Sequence, residues 1–273
     1  MLSQCILVFL FCIPAFFIEK DKPDFFSSIS QNKRKSNLLT GLKLLFQNKN
    51  FIFLLITSFF IVGYYFILGN IFNNFLYLYK ITKYQCTVIY SVSITAGIIS
   101  SLIISFFIDK CKKYKLFMMI LCILGIVFQL FLTFLLEIVE SKGLNKFILG
   151  IIFYILINAV VIPFYCIIMN YACEITHPVN ESFSGGILMI FAQLCGIVGS
   201  YLFEYFIEHN NDKPWINNVI FIIFFIISLI FISLSDGKLI RYEIDKSELI
   251  KEEGDKKNED IKIRTVDVEI KQN

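Results

Sequence analysis

Long apolar segments recur along almost the whole chain, and they constrain its fold more than any other feature. A helix needs about 20 predominantly apolar residues to cross the hydrocarbon core of a bilayer. Seven segments approach or exceed that length: Met1–Phe17, Phe51–Leu76, Val88–Ile108, Leu116–Leu136, Phe147–Tyr171, Phe183–Ile207 and Asn218–Leu234. Charged residues make up only 17% of the chain, against about a quarter in soluble domains. We therefore predict an all-α polytopic membrane protein with about seven transmembrane helices.

The polar stretches between these segments divide the chain into four parts. Residues 1–18 are predicted as a transmembrane helix, and a signal peptide is the alternative, although no basic residue precedes the apolar run. Residues 19–50 form a connecting loop, in which an apolar stripe from Leu38 to Phe46 predicts a short helix at the membrane interface. Residues 51–235 hold six spans, and residues 236–273 mix acids with bases and are predicted to be disordered.

The positions of the basic residues predict how the chain is oriented in the membrane. Of the 25 lysine and arginine residues, 20 fall in loops 19–50 and 109–115 and in the tail, which an alternating topology places on one side. Because short cytoplasmic loops carry an excess of basic residues, this side and the C-terminus are predicted to be cytoplasmic.

A few polar side chains inside the apolar segments are candidates for a solute pathway, because unpaired polar groups are costly in hydrocarbon and tend to face protein or water. Asn70, Asn73 and Asn74 share one helix face. They either line a cavity, as we predict for Asn70 and Asn73, or join helices. Tyr65 in the same segment and the isolated amide of Gln193 are also predicted to contact the solute.

Two stripes of small residues predict close helix packing rather than binding, because small side chains let helix backbones approach. The stripes are Ser93, Gly97, Ser101 and Ser105, and Ala192, Gly196 and Ser200.

The sequence disfavours an enzymatic function. No Ser/His/Asp set and no phosphate-binding glycine loop is present, and none of the eight cysteines shows metal-site spacing. No charged residue falls at the middle of an apolar segment, so no buried carboxylate could couple transport to protons. We expect no enzymatic activity, cofactor or metal, and the partners are a small-molecule solute and the lipid bilayer rather than nucleic acid.

The stretch Asp109–Lys115 resembles the basic loop motif of the major facilitator superfamily. The resemblance implies that Asp109, at the end of one helix, and the cations Lys110 and Lys113 form a conformational latch between neighbouring helices. Ser105 stands where the motif usually has glycine, which still permits close packing.

A second motif is more specific. The stretch Glu174–Gly186, followed by Ala192-Gln193, resembles the E-x-T-[YH]-P…E-x-x-S-G-L-L…A-Q pattern of the feline leukaemia virus subgroup C receptor-related transporters. Those facilitators are associated with haem and with choline or ethanolamine. The resemblance covers roughly residues 38–235 and implies the C-terminal half of a twelve-helix fold, with Met1–Phe17 as helix six.

The resemblance also implies which residues contact the solute. An aromatic residue of helix seven and a glutamine of helix eleven correspond to Phe66 and Gln193. Tyrosine is usual at the first position, so Phe66 lacks the hydroxyl but keeps a ring face for a quaternary ammonium group. We expect a carrier half completed by a missing N-terminal half or by self-association. The alternatives are a carrier of another small metabolite and a non-transporting membrane scaffold.

Overall fold

The computed structural model describes residues 38–77, 81–142, 146–209 and 215–244, together with residues 9, 13, 246, 247 and 250. Within the four continuous ranges, the regular secondary structure is helical. The main helices are α1 (Leu38–Gln47), α2 (Lys49–Tyr77), α3 (Lys83–Cys111), α4 (Tyr114–Lys142), α5 (Lys146–Ile175), α6 (Glu181–His209) and α7 (Trp215–Leu234). The predicted span at residues 1–17 lies outside the described residues.

The six remaining spans are confirmed, since α2 to α7 are each long and apolar enough to cross a membrane. Each helix exceeds its predicted segment at one end or both, because intrahelical hydrogen bonds continue past the last apolar residue. Helix α3, for example, begins five residues before Val88 at a capping box. There the Thr82 hydroxyl accepts from the Gln85 N–H at 3.4 Å, and the Gln85 amide oxygen accepts from the Thr82 N–H at 3.1 Å.

Helices α2 and α6 run in the same direction side by side. The Ser58 hydroxyl donates to the Leu188 carbonyl, and Asn70 Nδ2 donates to Ser200 Oγ, with the same sequence separation of 130 in both pairs. Because the sequence separation is the same at both contacts, the two helices are parallel. Gly196 permits their approach, because a Cβ at that position would lie 2.7 Å from the Cβ of Phe66.

Helices α3 and α5 form a second close pair. The Ser100 hydroxyl donates to the Ala159 carbonyl across the interface at 2.9 Å. A Cβ at Gly97 would lie 2.9 Å from the carbonyl oxygen of Asn158, so only glycine fits without a shift. Ser93 and Ser101 on the same stripe are buried. The prediction that this stripe packs against another helix is confirmed.

One end of the bundle, which we call the lysine-rich end, gathers the starts of α2, α4 and α6 and the ends of α3, α5 and α7. Asn48 Nδ2 donates to the Ile175 carbonyl at 3.0 Å. Lys115 Nζ donates to the Ser233 carbonyl at 2.9 Å and to the Ser235 carbonyl. The predicted short helix is present as α1, which buries Leu45. Its position at a membrane interface stays a prediction.

The described residues continue past residue 235 into the start of the tail, and the disorder of the tail stays a prediction. Arg241 forms an ion pair of 2.8 Å with Glu181 at the start of α6. The Tyr242 N–H donates to the Glu174 carboxylate near the end of α5, at 3.2 Å. Asn50 and Asp236 also exchange hydrogen bonds. We call residues 236–243 the strap. Most of the tail beyond it lies outside the described residues.

Candidate functional site

A cavity of about 280 Å³ lies among α2, α3 and α5. Its apolar lining consists of Ile94, Ile98 and Ile162. Its aromatic and polar lining consists of Tyr65, Ser101, Tyr165 and Cys166. Among the described residues, no charged side chain lines it. The cavity can therefore hold a small group that needs no buried ion pair.

Three of the side chains that line the cavity make contacts with neighbouring residues. The Tyr165 hydroxyl donates to the sulfur of Met189 on α6 at 3.3 Å. The Ser101 hydroxyl donates to the Ile98 carbonyl of its own helix at 2.8 Å. The ring of Tyr65 meets the ring of Phe66 edge to face, with centroids 5.7 Å apart. The exposed parts of the two tyrosine rings therefore have set orientations.

Two of the predicted solute contacts flank the packed face of α2 and α6. Phe66 is half-buried and packs on Gly196. Gln193 lies three residues before Gly196 on the same helix, and its side chain is exposed. Of the predicted site residues, only Tyr65 lines the described cavity. The solute contacts of Phe66, Tyr65 and Gln193 stay predictions.

The asparagines of α2 make the interhelical contacts that were the alternative to a pathway role. Asn70 Nδ2 donates to the Ser200 hydroxyl at 3.0 Å, and Asn74 Nδ2 donates to the Glu204 carboxylate at 3.0 Å. Asn73 is exposed. Asn70 therefore joins helices in this structure, and solute contacts of Asn70 and Asn73 stay predictions.

The predicted latch residues lie at the end of α3 and in the basic loop that follows it. Asp109 pairs with Lys112 at 3.7 Å. Lys110 lies 4.2 Å from the centre of the Phe106 ring on its own helix, and Lys113 is exposed. The cation of this motif that reaches another helix is Lys115, through its bonds to the end of α7. A latch formed by Asp109, Lys110 and Lys113 stays a prediction.

Three buried polar side chains join α2, α4 and α7, and sequence reasoning missed two of them, Gln129 and Asn218. Gln129 Nε2 donates to the Asn218 amide oxygen at 3.0 Å, and the Tyr64 hydroxyl approaches Gln129 Oε1 at 3.5 Å. All three residues are 1% exposed. Gln129 is an isolated amide within an apolar segment, as Gln193 is, so the reasoning applied to Gln193 could have found it.

In the part of the chain that the structure describes, six apolar helices are long enough to span a membrane, which defines an α-helical multi-pass membrane protein. The family model of the Major Facilitator Superfamily matches residues 1–200 of the chain. The chain therefore belongs to this superfamily of transporters, as the Asp109–Lys115 motif indicated.

Curated relatives agree with the more specific motif. The choline/ethanolamine transporter FLVCR1 of Felis catus is 26% identical over 239 residues, covering 83% of this chain and 40% of the relative. The choline/ethanolamine transporter FLVCR2 of Homo sapiens is 24% identical over 252 residues, covering 88% and 45%. The Danio rerio choline/ethanolamine transporter flvcr2a is 24% identical over 252 residues, covering 88% and 50%. The chain thus spans no more than half the length of these relatives.

Proposed function

We propose that the chain forms the C-terminal half of a carrier that moves a small organic cation of the choline or ethanolamine type by alternating access. The observation that carries this proposal is the cavity among α2, α3 and α5, with its aromatic and neutral lining, inside a bundle of this superfamily. The relatives' named substrates fit such a lining, because aromatic faces attract ammonium groups. Transport rather than catalysis is the activity that the family and the relatives support.

The pathway needs a second half. In this fold class, solute sites lie at the interface between two repeated bundles that rock against each other. Helices α2 to α7 supply one bundle, so an N-terminal half or a second copy of the chain completes the pathway. Gln193 and Phe66 lie on helices that face this interface in our proposal, with the lysine-rich end and the C-terminus in the cytoplasm.

The lining favours choline or ethanolamine over haem as the solute. Haem presents two carboxylates. The described cavity offers no cation to pair with carboxylates. A small ammonium solute carries no carboxylate, so the cavity fits it better.

Uptake of radiolabelled choline into liposomes tests this proposal. The completed carrier should take up choline, whereas the chain alone should not. Gln193→Ala should raise KM about tenfold, since one lost polar contact to a charged group is worth roughly 1.5 kcal/mol. Leu194→Ala, at an exposed neighbour, is the control and should leave KM unchanged.

Both variants are compared at equal abundance in the liposomes. Failure of the completed carrier to move choline or ethanolamine would remove the proposed function and favour a scaffold. An unchanged KM in Gln193→Ala would remove only Gln193 from the site.

A further inference from the structure

The seam between α2 and α6 carries polar side chains in the half of the bundle that lies away from the lysine-rich end. Asn70 Nδ2 donates to Ser200 Oγ at 3.0 Å, and one turn further along Asn74 Nδ2 donates to Glu204 Oε1 at 3.0 Å. Asn70, Asn74 and Glu204 are exposed. None of these residues lines the cavity, so the seam is a separate place on the molecule.

The partners of the two asparagines determine which end of each amide is left free. The Ser200 hydroxyl donates its proton to the Gly196 carbonyl, so it can only accept from Asn70. An ionised carboxylate such as that of Glu204 can only accept as well. Both amides therefore present their nitrogens to α6, and the carbonyl oxygens of Asn70 and Asn74 receive no hydrogen bond from any described residue.

Glu204 adds a negative charge to these free acceptors. Within the described ranges, no basic side chain forms an ion pair with it. Gln193, Ser200 and Glu204 follow one another at spacings of seven and four residues, so they share one face of α6. Glu204 therefore lies about 16 Å beyond Gln193 along the helix axis. A carboxylate without a basic partner attracts cations from solution.

We propose that Asn70, Asn74 and Glu204 form an approach site, which attracts an ammonium cation to the seam between α2 and α6. The carboxylate supplies the charge, and the two amide carbonyls replace part of the water around the cation. The same groups repel anions. This inference rests on the proposed function only for the identity of the cation, because the preference for cations belongs to this chain alone.

Charge-selective thiol labelling of the full chain in lipid nanodiscs tests the approach site. Asn73→Cys, in a chain without the native cysteines, places one thiol at an exposed position of α2 beside Asn74. The reagents are trimethylammonioethyl methanethiosulfonate, a cation, and sulfonatoethyl methanethiosulfonate, an anion. The ratio of their rates, each divided by the rate with a free thiol in solution, reports the local charge. A change in the reactivity of the thiol itself cancels in this ratio.

The cationic reagent should be preferred, and Glu204→Gln should lower the preference about fourfold. Asn74 contacts Glu204 and is the neighbour of position 73, so the thiol lies within about 10 Å of the carboxylate. A unit charge at about that distance in water acts on the two reagents with opposite sign, which gives roughly this factor. An equal ratio with and without the Glu204 charge would overturn the approach site.

Controls assign the preference to this one charge. Glu204→Asp keeps the carboxylate and should keep the preference. Glu243→Gln makes the matched neutralisation at an exposed acid of the strap and should change nothing. In the chain with Glu204, the preference should vanish at about 1 M salt, where the Debye length is about 3 Å. A preference that salt does not change would contradict the site, and this series decides even if Glu204→Gln does not fold.

Uptake separates the approach site from the proposed function. In the completed carrier, Glu204→Gln should raise the KM for choline about threefold at low salt, since an exposed ion pair contributes roughly that factor. Choline uptake without a cation preference at position 73 would overturn the site and leave transport standing. A cation preference without uptake of choline or ethanolamine would do the reverse.

Discussion

Gly97→Val should destabilise the chain by about 1–3 kcal/mol, because it overpacks the contact between α3 and α5. A Cβ at this position would lie 2.4 Å from Cδ1 of Ile162 and 2.9 Å from the carbonyl oxygen of Asn158. The isoleucine methyl can move, but the carbonyl belongs to the backbone of α5 and can move only with the helix. The two helices must therefore separate.

Gly186→Val is the matched control, since a Cβ at Gly186 has no neighbour within 4 Å. Both glycines lie inside helices, so the intrinsic effect of valine on the helix is similar. The thermal midpoint can be followed with a thiol-reactive dye that reports exposure of buried Cys86, Cys122 and Cys195. Equal midpoints for the two variants would mean that α3 and α5 are not in close contact.

Arg241→Glu should release the strap from the lysine-rich end. The change replaces the 2.8 Å ion pair with Glu181 by repulsion, and the arginine side chain is only 18% exposed. Charge-assisted hydrogen bonds of this kind contribute about 1.5–3 kcal/mol when sheltered and less when one partner is half in solvent, as Glu181 is. We therefore expect roughly a tenfold increase in the open population.

Thiol labelling detects this release. Cys173 is half-buried and directly precedes Glu174, which binds the strap, whereas Cys111 is exposed and serves as an internal reference. The labelling rate of Cys173 relative to Cys111 should rise in Arg241→Glu. It should return to the value of the unchanged chain when Glu181→Arg is added, because the second change restores a pair of opposite charges. Lys238→Glu reverses an exposed charge on the same strap and should have no effect. Equal rates in all variants would show that the ion pair does not hold the strap.

The membrane-spanning helices could be predicted because length and lack of charge determine which segments can cross a bilayer. The packing of Gly97 could be predicted as well, since glycine and serine repeat there every fourth residue. These properties are local to one helix. They require no knowledge of which helices become neighbours.

The cavity could not be predicted in the same way. Tyr65, Ile94 and Tyr165 line it from three helices, and helical periodicity assigns each to a face without saying which faces meet. The partners of charged residues were equally inaccessible, because any of several lysines near Asp109 could pair with it. The contacts of Arg241 could not be predicted either, because the two acids that bind the strap lie at the end of α5 and the start of α6.

The two ends of α3 offer the most direct measurement of the central claim, that the helices cross the membrane with the lysine-rich end in the cytoplasm. Native Cys111 is exposed at that end, and Tyr84 is 80% exposed at the other. Two variants each carry a single cysteine. The first keeps Cys111, and the second carries Tyr84→Cys in a chain without the native cysteines. A membrane-impermeant maleimide should label position 84 in intact cells and Cys111 only after permeabilisation. Labelling of Cys111 in intact cells, with position 84 protected, would contradict the proposed orientation.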